Sequence, residues 1–487
     1  MQVHEKLVIG LRSYASLRLL TQVASWAGTV YVVRHLDSRA LGQYGVALVV
    51  FNYLSMAYDG TLIEALVQRP PVAPHERRAV FTLLVGIGFA LAGLTVVLSG
   101  PLARAVGDAA VEPLVGGVAL ALAVTSFCVL PHAALAREMA FPRLASIGAL
   151  QAVCVTVTTV ALAWLGAGAW ALVSGQIVGA AVRMVLLNAA SFGLLPPTAR
   201  IGEALAYLRV GGVLFADNVL WRWYTSLDTF LLGRWTGTAA LGFYSLAQQL
   251  AELPLEKIST VVNDVSLPAY AELRQSRRAS VELLLETIRT HATIGFPVFW
   301  GTAVAAPYLV PVLFGGKWDR AIFPLIALAT VAPIRLIGSV ETPAMTGLGC
   351  PQVLVRAKLI IAPCMTAALL AGCWRGGIDG AALAWLCALP LCYVPAFRLV
   401  LNAAGTTYRD VTDVIRGPAA AAAVMVGIVF VAAEFAAKAT GSSLCGLTTA
   451  IGVGVPTYVA ALRLIDPGAF RLAQARVGRF VGLRQAT

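Results

Sequence analysis

The sequence predicts an all-α polytopic membrane protein of about 14 transmembrane helices, built as two pseudo-repeated six-helix lobes around a central cavity plus two C-terminal helices. Three observations lead there. Of 487 residues, 59% are hydrophobic and only 12% are charged, about half the charged fraction of a soluble globular chain; the mean hydropathy is +0.80. Apolar runs of about 18 residues or more recur from end to end, each long enough to cross a bilayer as a helix. The chain also repeats itself. Shifted by about 200 positions, Arg34, Ala40, Leu41, Gly42, Tyr44 and Ala47 fall on Arg234, Ala240, Leu241, Gly242, Tyr244 and Ala247, a duplication of the kind common in transporters.

The first lobe, residues 1–193, holds six spans: Leu11–Val33, Gly42–Leu62, Val80–Leu98, Val111–Ala134, Ala145–Leu165 and Ala169–Phe192. The first run is too long for a cleavable signal and contains Arg18, so it reads as a span. A linker follows at 194–207, with Pro196, Pro197 and Gly202. The second lobe, 208–402, holds Leu208–Leu232, Ala239–Leu267, Ile288–Leu313, Ala321–Thr346, Val353–Cys373 and Gly380–Leu401. Pro254 and Pro268 mark an expected break in the eighth span. Residues 403–465 supply two extra helices, Pro418–Ala437 and Leu444–Leu464, whose Ala, Val and Gly faces suit close packing. Residues 466–487 form a basic tail.

Charge sets the expected orientation. With both termini cytoplasmic, the inner loops collect Arg69, Arg77, Arg78, Arg137, Arg143, Arg277, Arg278, Arg409 and Arg416, while the outer loops keep Arg104, Lys317 and Arg375. The net charge of +12 therefore reports membrane topology rather than a nucleic-acid surface. The eight cysteines include Cys154, Cys364 and Cys387 inside apolar stretches, with no C-x-x-C pair, and read as buried hydrophobes rather than disulfides or metal ligands.

Polar groups inside the spans concentrate in few helices. Arg18, Gln22, Ser25 and Thr29 share one face of the first span, and the repeat places Asn218, Arg222, Thr225 and Thr229 on the equivalent face of the seventh. A neighbouring face carries Asp217, Trp221, Tyr224 and Asp228; the eighth span carries Gln248, Glu252, Glu256 and Ser259, with Lys257 beside them. Asn52 and Asp59 occupy corresponding positions in the second span, and the tenth adds Arg335, Ser339 and Thr342. Intramembrane charge is expensive, so these residues are expected to line a cavity or to pair. Spans 3–6 and 11–14 are poor in such groups. Structural alternatives stand beside each: snorkelling for Arg18 and Arg335, pairing with Asp217 or Asp228 for Arg222, a brace to Lys257 for Glu252 and Glu256, and packing for Trp221 and Tyr224. Arg18, Arg222 and Arg335 suit phosphate oxygens, whereas Gln22, Ser25, Asn52, Asn218, Trp221, Tyr224 and Gln248 suit sugars. Asp59, Asp217, Asp228, Glu252 and Glu256 are the candidates for coupling to an H+ or Na+ gradient. No P-loop, G-x-S-x-G or H-E-x-x-H motif occurs, and no other cofactor is expected, so the chain reads as a transporter rather than an enzyme.

Several short stretches resemble the bacterial polysaccharide flippases (Wzx-type, the polysaccharide transporter branch of the multidrug/oligosaccharidyl-lipid/polysaccharide exporter superfamily). They are Leu41-Gly42-Gln43-Tyr44-Gly45, Asp59-Gly60 leading to Ala65-Leu66-Val67-Gln68-Arg69, Leu241-Gly242-Phe243-Tyr244-Ser245-Leu246-Ala247 continuing into Leu253-Pro254, Leu267-Pro268-Ala269, and Phe314-Gly315-Gly316-Lys317-Trp318. The resemblance implies a two-lobed fold of 12 core helices, often with two more, and a cavity lined by the first two helices of each lobe. It also implies movement of undecaprenyl-diphosphate-linked oligosaccharide repeat units across the inner membrane by alternating access, for exopolysaccharide, capsule or O-antigen assembly. A polysaccharide polymerase and a chain-length regulator are the implied partners. The family has no strict site signature, so the site candidates rest on the polar stripes alone. The alternative reading is a cation-coupled multidrug exporter of the same superfamily.

Overall fold

A computed structural model describes residues 21–56, 63, 66, 76–198, 202–204, 212–273, 276–472 and 474. Arg18 and Asp59 lie outside these residues, as does most of the basic tail. Apart from two short 3-10 turns, the regular elements are α-helices, with no strand among the described residues. In chain order they are α1 (21–35), α2 (Ser38–Met56), α3 (Arg77–Val106), α4 (Val111–Ser126), α5 (Val129–Arg137), α6 (Phe141–Trp164) and α7 (Ala169–Ala190). They continue as α8 (Gly212–Thr236), α9 (Thr238–Glu272), α10 (Arg277–Phe314), α11 (Ile322–Gly338), α12 (Glu341–Gly347), α13 (Gln352–Ala404), α14 (Tyr408–Thr440) and α15 (Ser443–Ile465).

Among the described residues, eight stretches are long and apolar enough to cross a membrane, or nine if the bent pair α4–α5 counts as one span. The helices α8 and α9 are not among them because they carry the polar stripes, with Asp217, Arg222 and Asp228 on one and Gln248, Glu252 and Glu256 on the other. The element α13 joins two expected spans at Gly377, whose φ of 54° and ψ of −131° are open to glycine and strained for other residues.

Three local expectations need correction. The eighth span does not break at its prolines: α9 runs without interruption from Thr238 to Glu272. A proline removes one helical hydrogen bond, and a membrane-buried helix tolerates this when neighbours supply the rest of the packing. The fourth and tenth spans, expected to be continuous, are each interrupted. The first bends by 42° between Ser126 and Val129, and the second breaks at Ser339 and Val340. At the first break the Asn188 side-chain amide donates to the Phe127 carbonyl at 3.2 Å, replacing a bond that the helix has lost. Finally, Cys364 and Cys392 form a disulfide between the two arms of α13. The turn at Gly377 sets these arms side by side, a proximity that 28 residues of sequence separation conceal.

The chain divides into two compact units: residues 1–222 with 229–242, and 223–228 with 243–487. In the first, α3 packs on α4, α6 on α7, and α4 on both α2 and α7. Leu84, Leu122, Val129 and Leu130 are among its buried core. At one end, the first turns of α2 and α9 cross at contact distance. A Cβ on Gly42 would lie 1.8 Å from the Thr238 carbonyl oxygen, and one on Gly242 would lie 1.7 Å from that of Ser38. Each glycine thus meets the residue four positions before its own repeat counterpart, and only glycine allows backbones this close.

In the second unit, α10 packs against α11, α14 and α15, and α11 packs against α13. The two extra helices are tied down by more than small residues. Arg289 on α10 pairs with Asp466 at 2.5 Å, and the Tyr458 hydroxyl donates to the Thr293 carbonyl at 2.7 Å.

Candidate functional site: a caged arginine

Five of the residues expected to line the cavity come together inside the second unit, on α8, α9 and α11. Asp228 is fully buried, and its Oδ2 accepts from the Tyr244 hydroxyl at 2.6 Å and from the Trp385 indole N–H at 2.8 Å. Trp385, on the second arm of α13, is thereby fixed. The Arg335 guanidinium lies over its ring, 4.9 Å from the centroid, a cation–π contact strengthened where water is excluded. The Tyr224 ring is tilted against the same indole at 6.1 Å.

Arg335 completes the cage through Glu252. Its Nη2 meets Glu252 Oε1 at 3.1 Å, and the Gln248 side-chain amide donates to that same oxygen at 3.3 Å. The arginine side chain is 12% exposed, whereas the glutamate is 41% exposed. Helical spacing explains how one face carries this chemistry: Tyr224 and Asp228 are i, i+4 on α8, and Gln248 and Glu252 are i, i+4 on α9. A second polar contact lies at the break between α11 and α12, where the Tyr393 hydroxyl donates to the buried Glu341 carboxylate.

Several candidates go elsewhere. Arg335 does not snorkel, and Glu252 is braced by Arg335 rather than by Lys257. Lys257 instead lies 3.8 Å from its neighbour Glu256, and both are exposed. In the first unit, Ser25 accepts from Thr156 Oγ1 at 3.3 Å, and Gln22, Asn52 and Asn218 are half-buried. Asp217 is buried. The Arg222 guanidinium lies 4.8 Å above the ring of Trp221, and the Arg222 carbonyl accepts from the Tyr53 hydroxyl at 3.0 Å.

Sequence reasoning missed Trp385, Tyr244, Tyr393 and Glu341. The available signal was chemical: a tryptophan or tyrosine inside a membrane needs an acceptor, and a carboxylate needs a donor. It also missed Asp108, in the turn between α3 and α4. Asp108 takes two bonds from Arg39, at 3.1 and 3.2 Å, one from Gln43 at 2.8 Å and one from Thr238 at 2.8 Å. Burial alone pushes its carboxyl up, but the bonds from Arg39, Gln43, Thr238 and the Ala110 backbone N–H prevail and bring it down to about 2. Among the described residues no group of three or more His, Cys, Asp or Glu side chains is placed to hold a metal ion.

A family profile described as "Polysaccharide biosynthesis protein" matches residues 31–323, more than half of the chain. The chain belongs to this family. Among similar curated proteins, the Succinoglycan biosynthesis transport protein ExoT of Rhizobium meliloti (strain 1021) is 26% identical over 458 residues, 92% of each chain. The Lipopolysaccharide biosynthesis protein WzxC of Escherichia coli (strain K12) is 24% identical over 346 residues, 70% of this chain and 69% of the relative. Among solved structures, the Lipid II flippase MurJ in an inward closed conformation shares the fold at a TM-score of 0.73. It is 14% identical, with 92% of this chain and 98% of that one covered. An inward-facing multidrug resistance MATE family transporter aligns at 0.59 and 14% identity, over 81% and 99% of the two chains. This family member is thus a multi-pass membrane protein with the fold of flippases and exporters, and a transporter rather than an enzyme.

Proposed function

We propose that this protein carries polyprenyl-diphosphate-linked oligosaccharide repeat units from the cytoplasmic to the outer leaflet of a bacterial inner membrane, with both termini cytoplasmic and by alternating access. The observation that carries the reading is a largely covered cation, Arg335, held over an aromatic ring beside an amide and a carboxylate, in a family whose members serve polysaccharide assembly. Arginine suits phosphate oxygens geometrically, and a site of few polar groups among aromatics suits a sugar-bearing head group. In the first unit, Arg222 over Trp221 is a separate candidate for contact with phosphate. The lipid tail stays in the bilayer during transit.

An inside-negative potential favours outward movement of an anion by about 2.3 kcal/mol per charge per 100 mV. An arginine that neutralises the diphosphate reduces this help, so exchange against H+ or Na+ is the expected supplement. A polysaccharide polymerase and a chain-length regulator are the expected downstream partners. The multidrug-exporter reading is disfavoured by pairing: Glu252 already faces Arg335, and Asp228 already faces two donors, which leaves these acids poorly disposed toward a cationic drug.

The test is deletion of the gene followed by leaflet-resolved analysis of the diphosphate-linked intermediate. The expected result is accumulation on the cytoplasmic side and loss of surface polysaccharide, restored by the wild-type gene but not by Arg335→Gln. Full restoration by Arg335→Gln and by Arg222→Ala would remove the cationic site from the mechanism.

A further inference from the structure

Resting on that reading, we propose that Glu252 is an exchangeable counter-anion for Arg335, seated on the cation when the site is empty and displaced by the substrate's diphosphate. The two partners of this ion pair are not held alike. Arg335 is fixed: its side chain is 12% exposed and its guanidinium rests on Trp385, which is itself pinned by a 2.8 Å bond to the fully buried Asp228. Glu252 is not. Its side chain is 41% exposed and reaches Arg335 through one oxygen and one nitrogen, at 3.1 Å, rather than through the two-pronged contact that fits a guanidinium best. The further bond to that oxygen comes from Gln248 at 3.3 Å, a neutral donor one helical turn away on the same helix. A fixed cation facing a tethered, half-exposed anion is the arrangement of an exchange site. The acid can leave the guanidinium by breaking one ion contact and one bond from Gln248, while the arginine stays on its ring.

The arrangement meets two requirements of such a transporter. A bare guanidinium inside a membrane protein is costly, so the empty site needs a charge partner. The partner must nevertheless yield to the substrate. A diphosphate bears more negative charge than one carboxylate and offers the two-pronged oxygen geometry that Glu252 lacks, so it wins the arginine. A lipid with an uncharged head cannot displace Glu252, which makes the pair a filter for anionic lipids.

The experiment measures binding of undecaprenyl diphosphate, with undecaprenol as the uncharged control, to the full-length protein in nanodiscs. Four forms are compared: wild type, Glu252→Gln, Arg335→Gln and the double variant. Glu252→Gln keeps the size of the side chain and a partner for Gln248 while removing the competing charge. It is expected to bind undecaprenyl diphosphate about tenfold more tightly, ~1.4 kcal/mol, with no change toward undecaprenol. Arg335→Gln is expected to weaken diphosphate binding, and adding Glu252→Gln to it to change nothing further, because the glutamate acts through the arginine. Unchanged or weaker binding by Glu252→Gln, with Arg335→Gln still impaired, overturns the exchange while leaving the diphosphate at Arg335. The same tightening in both backgrounds overturns it too, since the glutamate then acts as a general negative charge. Undiminished binding by Arg335→Gln overturns the underlying site reading instead. Thermal unfolding of each variant separates lost binding from lost folding.

Discussion

Replacing Asp108 with asparagine probes a carboxylate on which several parts of the first unit converge. Arg39 and Gln43 from α2, Thr238 from the start of α9 and the Ala110 N–H all bond to it, and the side chain is nearly buried. Its carboxyl is held at about 2, against an ordinary value of 3.8. A difference of nearly two units at about 1.4 kcal/mol each corresponds to about 2 kcal/mol of stability at neutral pH. Because the folded-state value is the lower one, this contribution is complete above the unfolded value near 3.8 and is lost as pH falls through about 2. Arg39 is largely exposed and screened, so the buried donors Gln43 and Thr238 supply the firmer part. Thermal unfolding of detergent-purified wild type and Asp108→Asn at pH 7, 5, 4 and 3 is the assay. The variant is expected to be about 2 kcal/mol less stable at pH 7, with the gap narrowing below about pH 4. A gap that stays constant to pH 3, or no gap at pH 7, refutes the reasoning.

Other expectations follow from the packing and the site. Gly242→Ala places a methyl carbon 1.7 Å from the Ser38 carbonyl oxygen and is expected to cost about 1–3 kcal/mol, whereas Gly86→Ala, with open space around it, is expected to stay within about 0.5 kcal/mol; thermal unfolding compares them. Trp385→Phe keeps an aromatic face for Arg335 but removes a donor from Asp228, at an expected cost of about 1–3 kcal/mol, while Trp385→Leu removes both and is expected to abolish complementation of surface polysaccharide. Asp466→Asn breaks the tie between Arg289 and the end of α15, and protease sensitivity at that end is expected to rise. In protein unfolded with SDS, a maleimide is expected to label Cys387 without reduction, but Cys364 and Cys392 only after reduction, as mass spectrometry of the labelled peptides will report.

Much of this architecture is legible in the chain itself because it is periodic or repeated. Apolar runs mark membrane helices without any alignment, and the i, i+4 polar spacing of α8 and α9 shows that Tyr224 and Asp228, like Gln248 and Glu252, share faces. The partners on the other side of those faces are not legible. Asp228 and Trp385 are 157 residues apart, and Glu252 and Arg335 are 83 apart, distances over which helical periodicity carries no information. The span containing Trp385 looked inert because an indole counts as apolar until its N–H is followed to an acceptor. The breaks in the fourth and tenth spans do leave a mark in the chain: Pro131 and Pro343 stand four residues after Phe127 and Ser339 and lack the N–H that those carbonyls would accept, and at the first break Asn188 from a distant helix donates to the Phe127 carbonyl instead.

The crossing of Gly42 and Gly242 has the form of a contact across a twofold axis. In a twofold-symmetric pair of identical chains, a residue on the axis touches its own copy, and any change to it is felt twice. Here the two positions lie about 200 residues apart in one polypeptide, so each can change while the backbone of the other stays as it is. A single substitution therefore tests one side of the crossing at a time, which no symmetric dimer allows.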